Sequence, residues 1–452
     1  MTLYDRFGAP VSSDNQDSVD AFDEAATLML GFFADPLAKI DAAIAADPGF
    51  VMGHCFRAGL FLVSSEAASE AELKRILHVL KDHEAAANDR ERGHMAAIRA
   101  WADRDFHGAS EAYGRVLIDD PRDIVAMQFA HQCDFLLGQA TMLRDRVAQV
   151  LPAWSEADAE YPYLLGMHAF GLEECGHFER AEETGRRALS LQPRDSWAHH
   201  AVAHVFEMQG RTQEGVEWLT TGAKYWSEGN MFAYHNWWHL ALFHLENGHT
   251  AKALELYDTA IRPQPSPVAM EMADAASLLW RLHLRGADVG ARWHELADLY
   301  EGFVHAYYPF NDMHAMMTFA ATGRTDTARR LALTAALEGA AGGRDSNARM
   351  IRDVGLPVVR ALRAFGDGDY CAAVAILLDV RKRAAAFGGS NAQRDVLNLT
   401  LLEAAIRGGD AAAALALVNE RKAAKPDSPF VRSLYRRVDA MPAVRAGIGT
   451  AA

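Results

Sequence analysis

The fold of this chain can be predicted from one stretch, residues 236–265, which reads NWWHLALFHLENGHTAKALELYDTAIRPQP. Apolar residues recur in it at i, i+3, i+4 and i+7, the spacing that places them on one face of an α-helix. Gly248 interrupts this pattern and Pro265 ends it, so each marks the end of a helix. Small residues such as Ala241 and Ala253 let two helices pack closely. The stretch therefore predicts two antiparallel helices joined by a tight turn at Gly248.

Similar units recur on both sides of this stretch, with glycines at their turns. In residues 163–193 the turn is at Gly176, and the same turn returns 34 residues later at Gly210. Weaker copies place further turns at Gly138, Gly286, Gly323, Gly368 and Gly409. A repeat of this length is typical of an array of stacked helix pairs.

The units resemble the tetratricopeptide repeat, in which small and aromatic residues let each helix pair stack on the next. The matching positions of the best copy are Trp237, Leu240, Ala241, Gly248, Ala253, Tyr257, Ala260 and Pro265. Its one departure is His244, where the motif has tyrosine. The resemblance implies an all-α fold, an α-solenoid of antiparallel helix pairs that form a superhelix with a concave central pocket.

We predict that residues 1–452 form a single helical-repeat array. Residues 1–90 would be an N-terminal cap with atypical repeats, residues 91–267 the best-matching repeats, and residues 268–452 the C-terminal repeats. The Pro-rich break at 262–267 connects two repeats in this interpretation, because the helical pattern resumes after it.

Composition limits the classes of partner. The net charge of −15 over 452 residues argues against a nucleic acid or an anionic membrane as the main partner. No apolar run approaches the roughly 18 residues of a membrane helix. The four cysteines are scattered without a CxxC pair, and MTLYDRFGAP lacks the features of a secretory signal. We therefore expect a cytoplasmic protein that binds neither nucleic acid nor membrane.

Nearly the whole chain also resembles one particular family, the tetratricopeptide repeat protein 38 family. The likeness rests on WAHHAVAHVFEMQGR (197–211), HNWWHLALFHLENG (235–248), DAASLLWRL (274–282), NDMHAMM (311–317) and GGSNAQRDV (388–396). The family often has histidine where this chain has Asn391. The resemblance implies a helical-repeat fold and no particular reaction.

Polar residues occur where the tetratricopeptide register predicts the concave surface, at places 2, 5, 9 and 12 of each unit. In the unit that turns at Gly210 these are His200, His204 and Glu207, at places 5, 9 and 12. In the next unit they are His235 and Trp238 at places 2 and 5, with His239 beside them. Residues on or near the corresponding helices further along are Asp274, Trp280, Arg281, Asp312 and His314. The candidate ligand contacts are Glu207, Trp238, Trp280, Arg281, His314 and Arg394.

Three interpretations of the histidines remain open. Two histidines at i, i+4 can bind one metal ion from a single helix, although HHAVAH lacks the glutamate of an HEXXH motif. Alternatively, His–Asp pairs act as acid–base groups on a bound substrate. The catalytic candidates on either view are His200, His204, His235, His239, Asp274 and Asp312. Thirdly, the histidines hydrogen-bond to neighbouring turns and line a groove without chemistry.

Structural roles also compete for the other candidates. Asp274 and Asp312 could each begin a helix, and Arg281 could pair with a carboxylate for stability alone. Ser390 or Asn391 could cap the helix after the Gly388–Gly389 turn, or this loop could bring Gln393, Arg394 and Asp395 to the mouth of a cavity.

The functional prediction is a repeat protein that binds a small molecule or a peptide end in a pocket lined by His, Trp, Asp and Arg. The first alternative is an enzyme, a hydrolase or lyase that uses the clustered His and Asp residues. The second is a protein–protein interaction scaffold. The sequence identifies no cofactor or metal, and it leaves open whether the chain forms a homo-oligomer.

Overall fold

The structure, a computed structural model, describes residues 3–442, with the backbone alone at positions 324–325. It is built from helices, in chain order α1 (Gln16–Leu30), α2 (Pro36–Ala46), α3 (Val51–Val63), α4 (Glu70–Asp82), α5 (Asp89–Ala102), α6 (Phe106–Asp119), α7 (Ile124–Leu136), α8 (Ala140–Val150), α9 (Tyr161–Glu174), α10 (Phe178–Leu191), α11 (Ser196–Gln209), α12 (Thr212–Trp226), α13 (Ala233–Glu246), α14 (Thr250–Leu256), α15 (Ala269–Leu284), α16 (Arg292–Glu301), α17 (Pro309–Ala321), α18 (Thr327–Ala340), α19 (Ser346–Met350), α20 (Leu356–Gly366), α21 (Tyr370–Val380), α22 (Asn391–Arg407), α23 (Ala411–Ala424) and α24 (Pro429–Asp439). Among the helices of this described part, none is long and apolar enough to cross a membrane.

Polar side chains begin many of these helices by accepting hydrogen bonds from the backbone N–H groups of the first turn. At α22 the Ser390 hydroxyl accepts from Gln393 N, and the Gln393 side chain accepts from Ser390 N in return. Asn88 and Glu91 form the same reciprocal arrangement at α5. Of the two predicted caps, Ser390 and Asn391, Ser390 is therefore the one that caps the helix.

The turns between paired helices follow the predicted repeats. Glycine with a positive φ, from 63° to 82°, stands at every predicted turn: Gly138, Gly176, Gly210, Gly248, Gly286, Gly323, Gly368 and Gly409. At the turn between α5 and α6 a non-glycine residue, Arg104, takes this conformation with φ 61°. The chain is therefore an all-α array of tetratricopeptide-type helix pairs, as predicted.

Short elements depart from the pattern. Strands β1 (Leu3–Tyr4) and β2 (Pro10–Val11) form an antiparallel hairpin before α1. Residues Tyr257–Ile261 and Ile351–Gly355 form π-helical turns at the end of α14 and the start of α20. Short 3₁₀ helices occupy Ala67–Ser69, Leu151–Ala153, Gly323–Asp326 and Arg381–Phe387. The helical periodicity of the sequence did not predict these elements.

Contacts within the chain divide it into two compact units. Unit 1 comprises residues 1–202, 223–233 and 344–347, and unit 2 comprises residues 203–222, 234–343 and 348–452. In the core of unit 1 the ring of Phe22 packs edge-on against Phe50 and Phe56. In the core of unit 2 the Trp280 ring packs on Phe365. The boundaries predicted at residues 90 and 267 stay predictions.

Candidate functional site

Three imidazole rings meet in the interior of unit 2. Helix α11 carries His204, and α13 carries His235 and His239 one turn apart. The ring centroids of His204 and His239 lie 4.5 Å apart, and those of His235 and His239 lie 4.9 Å apart. One ring nitrogen from each residue lies within 4.8 Å of the others. All three side chains are buried, and we call them the histidine cluster.

Two carboxylates orient two of these rings. The Nδ1 atom of His235 lies 2.7 Å from Asp274 Oδ2 on α15, and Nδ1 of His239 lies 2.9 Å from Glu207 Oε2 on α11. A neutral imidazole that donates from Nδ1 carries its lone pair on Nε2. Burial, with the neighbouring His204, His235 and Arg281, holds the pKa of His239 well below its usual value. His239 is therefore a neutral base at physiological pH.

Trp238 and Arg281 cover one side of the histidine cluster. The Trp238 ring stacks on His235 with their centroids 5.2 Å apart, and the Arg281 guanidinium lies 5.2 Å from the Trp238 ring centre. Arg281 donates to the backbone oxygen of Ala392 at 2.9 Å and is buried. Burial lowers the pKa of Arg281. The side chain nevertheless stays cationic, because an arginine begins so far above neutral pH.

His200 precedes His204 by one turn on the same helix and is assigned to unit 1. Within unit 1 its ring packs on three aromatic rings. It stacks on Phe170 at 5.3 Å and contacts Trp197 at 4.8 Å and Phe232 at 5.1 Å between centroids. These contacts place His200 in an aromatic environment.

Asp312 and His314 make local contacts at the start of α17. The Asp312 carboxylate accepts from Ala306 N at 3.1 Å and lies 3.2 Å from His305 Nδ1. Burial raises the pKa of Asp312, and burial lowers the pKa of His314 to about 4. His314 Nδ1 lies 2.9 Å from the oxygen of Phe310. Asp312 thus ties the preceding loop to α17, and it lies inside the helix, past the N-cap.

The positions of Asp274 and Trp280 also answer questions left open by the sequence. Asp274 lies in the second turn of α15, so it does not cap that helix. Trp280, on the same helix, donates from Nε1 to Thr400 Oγ1 at 2.9 Å. Trp280 is therefore a core residue that links α15 to α22.

A cavity of about 440 Å³ lies in unit 2 beside the histidine cluster. Its walls come from α11, α22, α23 and the 3₁₀ segment after α21. Two candidates from the sequence line it, Glu207 and Arg394. Asp395, which the sequence also offered as a polar contact, lines it as well, and the charged residues that the sequence did not indicate are Arg381, Lys382, Glu420, Arg421 and Lys425. Their helices fall outside the best-matching repeats, so their register gave no signal.

The cavity carries a surplus of positive charge. Arg421 holds the Asp395 carboxylate through two hydrogen bonds of 2.9 Å, and Arg381 pairs with Glu420 at 2.8 Å. Arg421 keeps the pKa of Asp395 far below its usual value, against the effect of burial. The five cations of the wall face three carboxylates, and Lys382 and Lys425 form no ion pair with any described carboxylate.

Comparisons with known proteins add the following. No protein-family model matches the chain. The Cut9–Hcn1 hetero-tetramer structure of the APC/C is similar over 93% of this chain and 71% of that chain, with 13% identity and a TM-score of 0.44. Yeast Tom70 is similar over 96% and 93%, with 13% identity and a TM-score of 0.33. The human IFIT1 dimer with m7Gppp-AAAA is similar over 94% and 95%, with 15% identity and a TM-score of 0.38. At these scores the likenesses carry no argument about function.

Proposed function

We propose that the chain binds a small molecule or a peptide end that carries an anionic group, in the 440 Å³ cavity of unit 2. The observation that carries this proposal is the surplus of cations in the wall of a cavity that belongs to a chain of net charge −15. Because low-dielectric walls strengthen electrostatic attraction, such a cavity favours an anion over a neutral or cationic ligand.

The size and lining of the cavity support a ligand of metabolite size. Ligand pockets commonly measure about 300–1,000 Å³ and combine apolar walls with a few polar groups. Leu397, Leu402 and Leu417 supply an apolar wall, while Lys382 and Asn398 are exposed and connect the cavity to solvent. Lys382, Arg394 and Lys425 are the groups we expect to contact the anion.

An enzyme is the second candidate, favoured by the position of Glu207. This carboxylate lines the cavity and also lies 2.9 Å from His239 Nδ1. Glu207 can therefore act as a general base on a ligand in the cavity, with His239 as the group that orients its carboxylate. On this view the chain is a hydrolase or lyase that acts on the bound anion.

The remaining predictions from the sequence belong to the same proposal. They are membership of the tetratricopeptide repeat protein 38 family and a cytoplasmic location. The protein–protein interaction scaffold stays a separate alternative, in which the repeats bind another protein rather than a small molecule or a peptide end.

A panel of probes tests the proposal by thermal unfolding of the full chain. The panel holds amino acids, di- and tricarboxylates, phosphate esters, short peptides with free carboxylates, and matched amides. A ligand at about 100 times its Kd adds about 2.7 kcal/mol to the free energy of unfolding. We expect stabilisation by at least one anionic probe, and weaker binding in the double variant Lys382→Ala/Lys425→Ala. Because this variant loses charge-assisted contacts, its Kd for the probe should be roughly tenfold or more above that of the wild type.

The matched control is Lys422→Ala, because Lys422 is exposed on the same helix as Arg421 and does not line the cavity. This variant should bind the probe like the wild type. Equal binding by the wild type and the double variant, or stabilisation by the amides alone, would contradict the proposal. Turnover of the probe that disappears in His239→Gln would favour the enzyme.

A further inference from the structure

We propose that His204, His235 and His239 hold a divalent transition-metal ion of the zinc class, with Asp274 and Glu207 as the carboxylates that orient two of the rings. This inference rests on the histidine cluster alone and does not depend on a ligand in the cavity.

The strongest support is the way the carboxylates meet the rings. Metal-binding histidines commonly donate their second ring N–H to a carboxylate, which fixes the tautomer and the orientation of the ring. His235 and His239 both do this through Nδ1, to Asp274 at 2.7 Å and to Glu207 at 2.9 Å. The donor atom that faces a metal would therefore be Nε2 in both residues, and the two rings lie one turn apart on α13.

The third ring argues against a purely structural pair of His–carboxylate contacts. A buried histidine that hydrogen-bonds to a carboxylate for structural reasons alone does not require a third imidazole beside it. His204 nevertheless places its ring centroid 4.5 Å from that of His239. One divalent cation bound by a ring nitrogen from each of the three residues gives the third ring a role.

The nitrogen spacing fits a site that closes slightly on binding. Zn–N bonds of about 2.0–2.1 Å place the nitrogens of a tetrahedral site roughly 3.4 Å apart. The three nitrogens lie within 4.8 Å of one another. Side-chain rotations that move each ring nitrogen by roughly 1 Å would bring the three nitrogens to the distances of a tetrahedral zinc site. Three imidazoles select zinc, cobalt, nickel or copper ions rather than magnesium or calcium, which prefer oxygen ligands.

The test is the metal content of the full, untagged chain, measured by mass spectrometry before and after treatment with a chelator. Zinc or cobalt alone is then added to the stripped protein. We expect about one ion per chain, a higher unfolding temperature in its presence, and the visible absorption of tetrahedral cobalt. His239→Gln should lose the ion.

The matched control is the double variant His244→Gln/His249→Gln. These residues form a second, partly exposed histidine pair of unit 2, with their Nδ1 atoms 3.4 Å apart. The control should keep the ion. Loss of the ion in this control, with retention in His239→Gln, would assign binding to the surface pair and overturn the proposal.

Asp274→Asn keeps the test decisive if His239→Gln fails to fold. Its amide oxygen still accepts from His235, so the metal-free protein should keep the stability of the wild type. The affinity for zinc should fall by roughly 10- to 100-fold, as for other outer carboxylates. A wild type that takes up none of zinc, cobalt, nickel or copper in stoichiometric amount, or an affinity unchanged in Asp274→Asn, would refute the proposal.

Discussion

At the scale of single residues, Asp195 is buried at the start of α11 and should impose a pH dependence on stability. Its Oδ1 accepts from Trp197 N at 3.0 Å and Ala198 N at 3.1 Å. Burial raises the pKa of Asp195 from 3.8 to about 7, although the two N–H groups act in the opposite direction. Between these values the folded chain binds more protons than the unfolded chain, so the free energy of unfolding falls as the pH rises from about 4 to about 7. Above the folded pKa this loss is complete.

The variant Asp195→Asn isolates this effect, because it retains the capping oxygen and cannot ionise. Other groups titrate equally in both proteins. The free energy of unfolding of the variant, relative to that of the wild type, should therefore rise from pH 5 to pH 8. Urea unfolding at the two pH values measures it, and we expect a change of about 1–3 kcal/mol. Parallel pH profiles would show that Asp195 keeps its charge in the folded chain.

The sequence predicted which helix face several site residues occupy, whereas only the structure shows which of these side chains are in contact. Repeat register placed His204 and Glu207 on the inner side of one helix and His235 on that of the next. It could not show that His235 reaches Asp274, which lies 39 residues later. Such a contact depends on helix spacing, which a helical period does not supply. The cavity cations Arg421 and Lys425 were not predicted for a different reason, because they lie outside the best-matching repeats and their register gave no signal.

At the scale of elements, Gly171 allows α9 to approach α8. A Cβ atom at this position would lie 2.4 Å from Arg144 N and 2.5 Å from Leu143 O, which are backbone atoms that cannot rotate away. Alanine would gain about 1 kcal/mol of helix propensity, but forcing the two helices apart costs about 1–3 kcal/mol or more. We therefore expect Gly171→Ala to lower the unfolding temperature. Gly339→Ala in α18, where a Cβ meets no atom within 4 Å, should be neutral or slightly stabilising. An equal effect of both substitutions in thermal unfolding would contradict this account.

Helices and their turns were the most predictable elements, because their signals are local. A glycine at each turn is required by a positive φ, and all the predicted turn glycines have one. Arg104 shows the limit of this signal, since it adopts φ 61° without being glycine. The π-helical turn at Tyr257–Ile261 was not predictable for a different reason. Its residues carry no local signal that separates i→i+5 from i→i+4 hydrogen bonding.

At the scale of the whole molecule, the fold could be predicted because its packing positions repeat, whereas the candidate sites depend on residues that do not repeat. Packing positions recur in every unit, so weak copies support one another and the all-α array could be predicted. Site residues occur once each. The net charge of −15 predicted an absence of nucleic-acid partners, yet it gave no sign of a cavity whose wall carries more cations than carboxylates.

If both proposals hold, the two sites of unit 2 should be coupled through Glu207, which lines the cavity and hydrogen-bonds to His239. A dication at the histidine cluster raises the positive potential at the cavity wall and should tighten binding of an anionic probe by about fivefold or more. Thermodynamic linkage requires the probe to tighten metal binding by the same factor. Calorimetric titration of the strongest anionic probe, with and without zinc, measures the first factor, and zinc titration with and without the probe measures the second. In His239→Gln, zinc should leave the affinity for the probe unchanged. Equal probe affinities with and without zinc in the wild type would show that the two sites act independently.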